Sequence, residues 1–232
     1  MTYVLHYAPD NASLIVRLAL EYRGLRYHAK LVDRAVQGQR APAYLALNPN
    51  GLIPVLETPH GPLFETGAIL LWLGDTHGRL GPMPTDAARG DYLKWLFFTA
   101  NTLHPALRMM FYPEKFIATG HAALRAGLHQ QINAALRQLD TVAAAAARPV
   151  WLGAAQPSAL DFYVAACLRW CALYPAGSAR DWFDLSAFPA LLAMCVQLER
   201  LDCVRALQTA EGLGDTPFSA PHYPKPPEGS AT

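Results

Sequence analysis

The sequence predicts an α/β N-terminal domain of order βαβαββα followed by an all-α C-terminal domain, and three observations carry that expectation. Strand-like and helix-like patterns alternate over residues 1–76, a stretch punctuated by Gly and Pro fills residues 77–86, and no strand pattern recurs over residues 87–232. These three segments are read as a first domain, a linker and a helical domain ending in an irregular tail. A chain of 232 residues is long enough to bury substantial cores without disulfides or a metal.

Taken in order, Tyr3 to Tyr7 is short, β-rich and runs into the turn residues Pro9-Asp10-Asn11. Ser13 then precedes Leu14, Leu18 and Tyr22 on one helical face, with Ile15 and Ala19 beside them, until Gly24 stops the pattern. Tyr27 to Val32 reads as a second strand, and a short helical piece surrounds Ala43 to Leu47. The turn Asn48-Pro49-Asn50-Gly51 leads into a strand opening at Ile53-Pro54-Val55-Leu56; His60-Gly61 reverses the chain and Leu63-Phe64 returns as a hairpin. Beyond Thr66, Ala68 to Leu73 is apolar nearly all round, as suits a helix covered on both sides.

In the second half, Asp86 to Phe111 carries a helical pattern interrupted at Pro105, and Gly120 to Ala147 reads as a long helix ending in an alanine tract. Ser158 to Leu173 is a third helix. Ser186 followed by Pro189 combines a cap residue with a first-turn proline and opens a fourth through Leu198. Five prolines after Gly214 make the tail extended and irregular.

Composition excludes several classes of function. Hydrophobic residues make up 52% of the chain and charged ones 16%, so the chain folds and does not stay disordered. A net charge of +1 is too small to neutralise a row of phosphates, which argues against nucleic acid. No apolar run approaches the ~20 residues of a membrane span, and Asp10, Asn11 and Arg17 break any secretory core, so the expected address is cytoplasmic. Cys167, Cys171, Cys195 and Cys203 form no CxxC and have no His pair at zinc spacing; no metal is expected, and the thiols read as buried. Long apolar helices and low charge favour association, and a homodimer is expected.

Two motifs are specific together: Asn48-Pro-Asn-Gly-Leu-Ile-Pro54-Val-Leu, and Phe64-Glu65-Thr66-Gly-Ala-Ile69. They resemble the glutathione-binding half of the cytosolic glutathione transferase family, and the likeness extends over nearly the whole chain, including Ser158-Ala-Leu-Asp161 in the place of that family's helix-capping box. The resemblance implies a thioredoxin-like first domain, glutathione as co-substrate, and conjugation of its thiolate to small hydrophobic electrophiles, a detoxification chemistry. A non-catalytic carrier or interaction module of the same fold, or a glutathione-dependent isomerase, are the competing functions.

The residues support that chemistry on their own terms. Pro54 cannot donate to a sheet ladder and fits a cis proline that leaves the backbone of Ile53 open to an extended peptide; the competing reading is a proline starting an edge strand. Thr66 opens a helix whose free N–H groups suit a carboxylate, and Glu65 suits an ammonium, the two charges of a γ-glutamyl group. Otherwise Thr66 is a plain cap. A free thiol titrates near ~8.5, so donors must hold the glutathione sulfur as thiolate. Ser13 is the first candidate and Asn11 the second, with Tyr7 pointing toward the same region; the competing role for Ser13 is a helix cap.

Tyr7-Ala-Pro-Asp-Asn-Ala12-Ser13 is similar to the bacterial beta-class pattern, in which a cysteine stands in the place of Ala12. Its absence removes the mixed disulfide with glutathione. By the same resemblance His104, in Leu103-His104-Pro105, faces the sulfur and exchanges its proton, although such a histidine is also an ordinary packed residue. Arg108, Phe111, Tyr112 and Phe116 could wall a pocket for the electrophile or simply pack the core. Arg34, Gln39 and Arg40 are the candidates for the glycyl carboxylate.

Overall fold

The computed structural model describes residues 2–145 and 149–231. In chain order its elements are β1 Tyr3–Tyr7, α1 Ser13–Tyr22, β2 Tyr27–Leu31, α2 Pro42–Leu45, β3 Val55–Thr58, β4 Gly61–Phe64, α3 Thr66–His77, α4 Arg89–Phe98, α5 His104–Phe111, α6 His121–Ala143, α7 Ala159–Leu173, α8 Pro189–Leu198 and α9 Asp202–Glu211. They divide into two compact units. The first comprises residues 1–80, 199–217 and 222–232; the second comprises 81–198 and 218–221.

The first unit is a four-stranded mixed sheet of order β2-β1-β3-β4. β1 pairs in parallel with β2 from Tyr3↔Tyr27 to Tyr7↔Leu31, which requires the α1 crossover, and antiparallel with β3 through Leu5↔Leu56. The β3–β4 hairpin is in register from Val55↔Phe64 to Thr58↔Gly61. This is the thioredoxin-like arrangement. Leu14, Ile15, Leu18 and Ala19 of α1 and Ile69, Leu70 and Leu73 of α3 are fully buried, while Tyr44 on α2 packs with Val32 and Val55.

The sequence placed everything after residue 86 in the helical domain, but α9 and the end of the tail cluster with the first unit. α9, which the hydropathy pattern did not reveal, lays Val204 and Leu207 inward and packs against α1. The tail has no regular element beyond Gly214 yet is anchored: Lys225 N donates to Gly212 O at 2.8 Å, and Arg34 donates to the carbonyl oxygen of Ala231.

In the second unit, the interruption expected at Pro105 takes the form of a π-turn over Thr99–Leu103 between α4 and α5. A proline near a helix start removes one N–H, and the wider turn absorbs the mismatch. α7 is buried along nearly its whole length. Its N-terminus is closed by the expected capping box: Ser158 Oγ accepts from Leu160 N at 3.0 Å and Asp161 Oδ2 accepts from Ser158 N at 2.7 Å. Asp161 Oδ1 also accepts from Gly153 N at 2.6 Å.

The cap expected at Ser186 is different. Ser186 donates to Asp184 in a preceding turn, and α8 is capped by Asp140 of α6, whose Oδ1 accepts from Ala190 N at 2.9 Å and Leu191 N at 3.0 Å. α6 ends at Ala143, and the last alanines of the tract, 146 and 147, lie outside the described residues. Cys167, Cys171, Cys195 and Cys203 are buried and form no disulfide among the described residues.

Candidate functional site

Strand register brings three pieces of the first unit to one end of the sheet. Because His6 pairs with Val55 and Val55 with Phe64, the exit of β1, the entry to β3 and the exit of β4 are neighbours there. These are the places from which the loop 8–12, the Ile53-Pro54 pair and the Glu65-Thr66 pair depart.

The Ile53–Pro54 peptide bond is cis, as expected. The segment before it is fixed by its carbonyl: Tyr44 Oη and Asn48 Nδ2 both donate to Leu52 O at 2.8 Å. Gly51 adopts φ +60, and a side chain there would stand 2.9 Å from Gln39 O and Arg40 Nη1, so the residue must be glycine. Among the described residues the backbone N–H and C=O of Ile53 take no partner. They are open for pairing with an extended chain.

Glu65 holds φ +71 and ψ 113 immediately before α3, a conformation costly for a residue with a Cβ. Backbone strain of this kind persists where a site needs it. The Glu65 side chain is exposed and Thr66 is buried, and neither side chain has a partner among the described residues. An uncommitted carboxylate and an uncapped helix N-terminus therefore stand side by side, receptive to an ammonium and a carboxylate on one carbon.

The loop 8–12 alters the assignment of the thiol donors. Ser13 is fully buried, and its hydroxyl donates to Ala8 O at 3.0 Å while accepting from Ala8 N at 3.3 Å. A hydroxyl has one hydrogen, and here it is given to Ala8 O within the loop. Asn11 differs. Its Oδ1 accepts from Ala12 N at 2.8 Å, which leaves the amide NH2 uncommitted among the described residues at the N-terminus of α1.

Tyr7 is likewise committed. Its hydroxyl donates to Glu228 in the tail at 2.5 Å and its ring lies under the Arg17 guanidinium at 4.3 Å. Burial first, then Glu228, pushes the phenol up to about 12, so it stays protonated at neutral pH. Arg34 is taken by the tail carbonyl of Ala231. Gln39 and Arg40 remain: the Gln39 Oε1 is buried without a partner, and Arg40 is exposed with Nη1 3.5 Å from Asn50 O.

Within the second unit, His104 Nδ1 is hydrogen-bonded to Tyr163 Oη at 2.8 Å, and its ring lies 5.2 Å from that of Trp170. Burial, then the Arg108 charge, lowers its pKa to about 4, so the imidazole is neutral at neutral pH. The residue is half-buried, with one ring nitrogen engaged. Arg108, Phe111 and Tyr112 are half-buried and Phe116 is exposed, with Arg108 5.9 Å above the Phe116 ring. No group of three or more His, Cys, Asp or Glu able to hold a metal occurs among the described residues.

Sequence reasoning missed Arg17, Glu211 and Glu228. One signal was present: Arg17 interrupts the apolar run of α1, and a charge on a buried face implies a buried partner.

A thioredoxin-like unit whose sheet end offers an open backbone before a cis proline and a bare Glu-Thr helix start suits an extended peptide that carries an ammonium and a carboxylate on one carbon. The family model for the glutathione S-transferase N-terminal domain matches residues 12–76. Over 212 residues the chain is 30% identical to glutathione S-transferase GST-4.5 of Xanthomonas campestris, covering 90% of this chain and 98% of that one. It is 27% identical over 197 residues to maleylacetoacetate isomerase of Rhizobium meliloti, covering 83% and 89%. A sphingomonad glutathione S-transferase solved in complex with glutathione is 29% identical and covers 91% of this chain and all of its own, with a TM-score of 0.74. The chain belongs to the glutathione S-transferase family and is an enzyme of that family.

Proposed function

We propose that the enzyme conjugates glutathione to small hydrophobic electrophiles, and the observation that carries this reading is the uncommitted Glu65–Thr66 start of α3 beside the open backbone of Ile53. The γ-glutamyl ammonium pairs with Glu65 and its carboxylate with the free N–H groups at Thr66. The cysteinyl unit lies antiparallel to Ile53, and the glycyl carboxylate is received by Arg40 with Gln39 beside it. Asn11 Nδ2 and the N-terminal end of α1 hold the sulfur as thiolate, which attacks carbon, forms the C–S bond and expels the leaving group; the thiol proton goes to solvent.

His104, neutral at neutral pH, is proposed to assist by exchanging the thiol proton on its way to solvent. Phe111 and Tyr112, with Arg108, are proposed as contacts for the electrophile, since they keep apolar surface exposed on the helical unit. The protein is proposed to act as a homodimer in the cytoplasm, in keeping with buried cysteines that form no disulfide among the described residues and with the exposed Phe97.

The test mixes the protein with glutathione and a chloronitroarene and follows thioether formation. Stoichiometric consumption of glutathione supports the transferase. An isomerase of the kind named in the Rhizobium relative would return glutathione unchanged, and a carrier would bind it without ionising its thiol.

A further inference from the structure

We propose that Glu211, the last residue of α9, is a positioning residue for the loop that presents the thiol-holding donors; the inference rests on the transferase reading of that loop. Its carboxylate is fully buried. Oε2 accepts from Asp10 N at 2.9 Å, and Oε1 stands 3.1 Å from Arg17 Nε on α1. Arg17 in turn covers the Tyr7 ring at the end of β1. One buried carboxylate therefore reaches the middle of the loop directly, its following helix through Arg17, and its preceding strand through Arg17 and Tyr7.

The loop needs such a hold. Asp10 is buried and sits at φ +49, in the left-handed region that a residue with a Cβ seldom occupies unaided. A charge-assisted bond to its N–H fixes that conformation, and the next residue is Asn11, whose amide is the proposed sulfur donor. A donor misplaced by about 1 Å can lose ~100-fold in rate. Ionisable groups around Glu211 include Asp10, Arg17 and Tyr27; Tyr27 is bonded to Glu21 at 2.5 Å and Tyr7 to Glu228.

The experiment compares the full chain with Glu211→Gln and Glu211→Leu, reading the thiolate absorbance of bound glutathione against pH and splitting kcat from KM with a chloronitroarene. Gln keeps an acceptor for Asp10 N while discarding the charge. It is expected to keep the parent thiolate titration, even though it loses melting temperature with the ion pair. Leu keeps the volume but no acceptor; it is expected to raise the pH of thiol ionisation by about one unit and lower kcat about tenfold or more, with KM for glutathione changing less.

A role confined to helix packing would lower the melting temperature of both variants and move neither titration. A folded Glu211→Leu with the parent titration, or a Glu211→Gln as damaged as Leu, overturns the proposal. If Glu211→Leu does not fold, amide exchange in the unaltered protein decides: the Asp10 N–H exchanges as slowly as the β1 ladder, and exchange as fast as an exposed loop amide overturns it. A parent protein that binds no glutathione would sink the transferase reading and this role together, whereas binding with an unmoved Leu titration sinks this role alone.

Discussion

Ser13 donates its hydroxyl to the carbonyl oxygen of Ala8 at 3.0 Å, closing the loop between β1 and α1 from inside. The bond makes Ser13 part of the loop's frame, and the proposed sulfur donor is Asn11. A buried hydrogen bond of this kind is worth about 1 kcal/mol. Ser13→Ala is therefore expected to lower the melting temperature by roughly 2–4 °C while leaving the thiolate titration of bound glutathione near that of the parent. Asn11→Ala should do the reverse, shifting the titration upward with little loss of stability. An upward shift in Ser13→Ala equal to that of Asn11→Ala would return the hydroxyl to the sulfur.

Asp161 holds two N–H groups, the part-buried one of Gly153 and the buried one of Ser158. Asp161→Ala removes a cap and strands both donors, so the loss should exceed an ordinary cap and reach about 2 kcal/mol or more. Calorimetric melting should fall by roughly 4–8 °C. A drop within the error of the scan would contradict the buried cap.

Asp140 caps α8 from across the helical unit, which separates two variants that sequence alone would rank the other way. Asp140→Ala should cost about 1–2 kcal/mol, because the N–H groups of Ala190 and Leu191 lose their acceptor. Ser186→Ala should stay within about 0.5 kcal/mol. Urea midpoints measured side by side test the order, and equal losses would refute the cap in trans.

These cases show where the sequence is legible. The capping box at Ser158, the cis Pro54 and the helix start at Thr66 are local chemistry, set by residues within a few positions of one another, and each stands where its pattern places it. The order of strands and helices through residue 77 follows from the same short-range periods. Tertiary contact decides the rest. Tyr7 meets Glu228 only because the tail returns to β1, and Asp140 and Glu211 act on segments distant in the chain. α9 is polar on average, so its one apolar face, Cys203, Val204 and Leu207, stands out little, and that face also carries the buried Glu211.

His104 predicts a pH dependence of stability. Its folded pKa lies at about 4, below ~6.5 in an unfolded chain, so between those values the folded state binds fewer protons than the unfolded state. Its contribution is therefore fully present above about pH 6.5 and lost progressively as the pH falls toward 4. Urea midpoints at pH 7 and pH 5 should drop more in the parent than in His104→Gln. The same drop in both would show that His104 is not held neutral by its surroundings.

The account stands on glutathione being gripped at the start of α3, and calorimetric titration of glutathione into the parent protein and Glu65→Gly tests it most directly. Glycine accepts the φ of +71 without strain, so the variant should melt at the parent temperature or above it. Loss of the carboxylate removes a charge-assisted hydrogen bond of ~1.5–3 kcal/mol, which corresponds to an affinity weaker by about 10- to 150-fold. That pairing of undiminished stability with lost binding is the predicted result. A well-folded Glu65→Gly that binds glutathione as tightly as the parent would contradict the site.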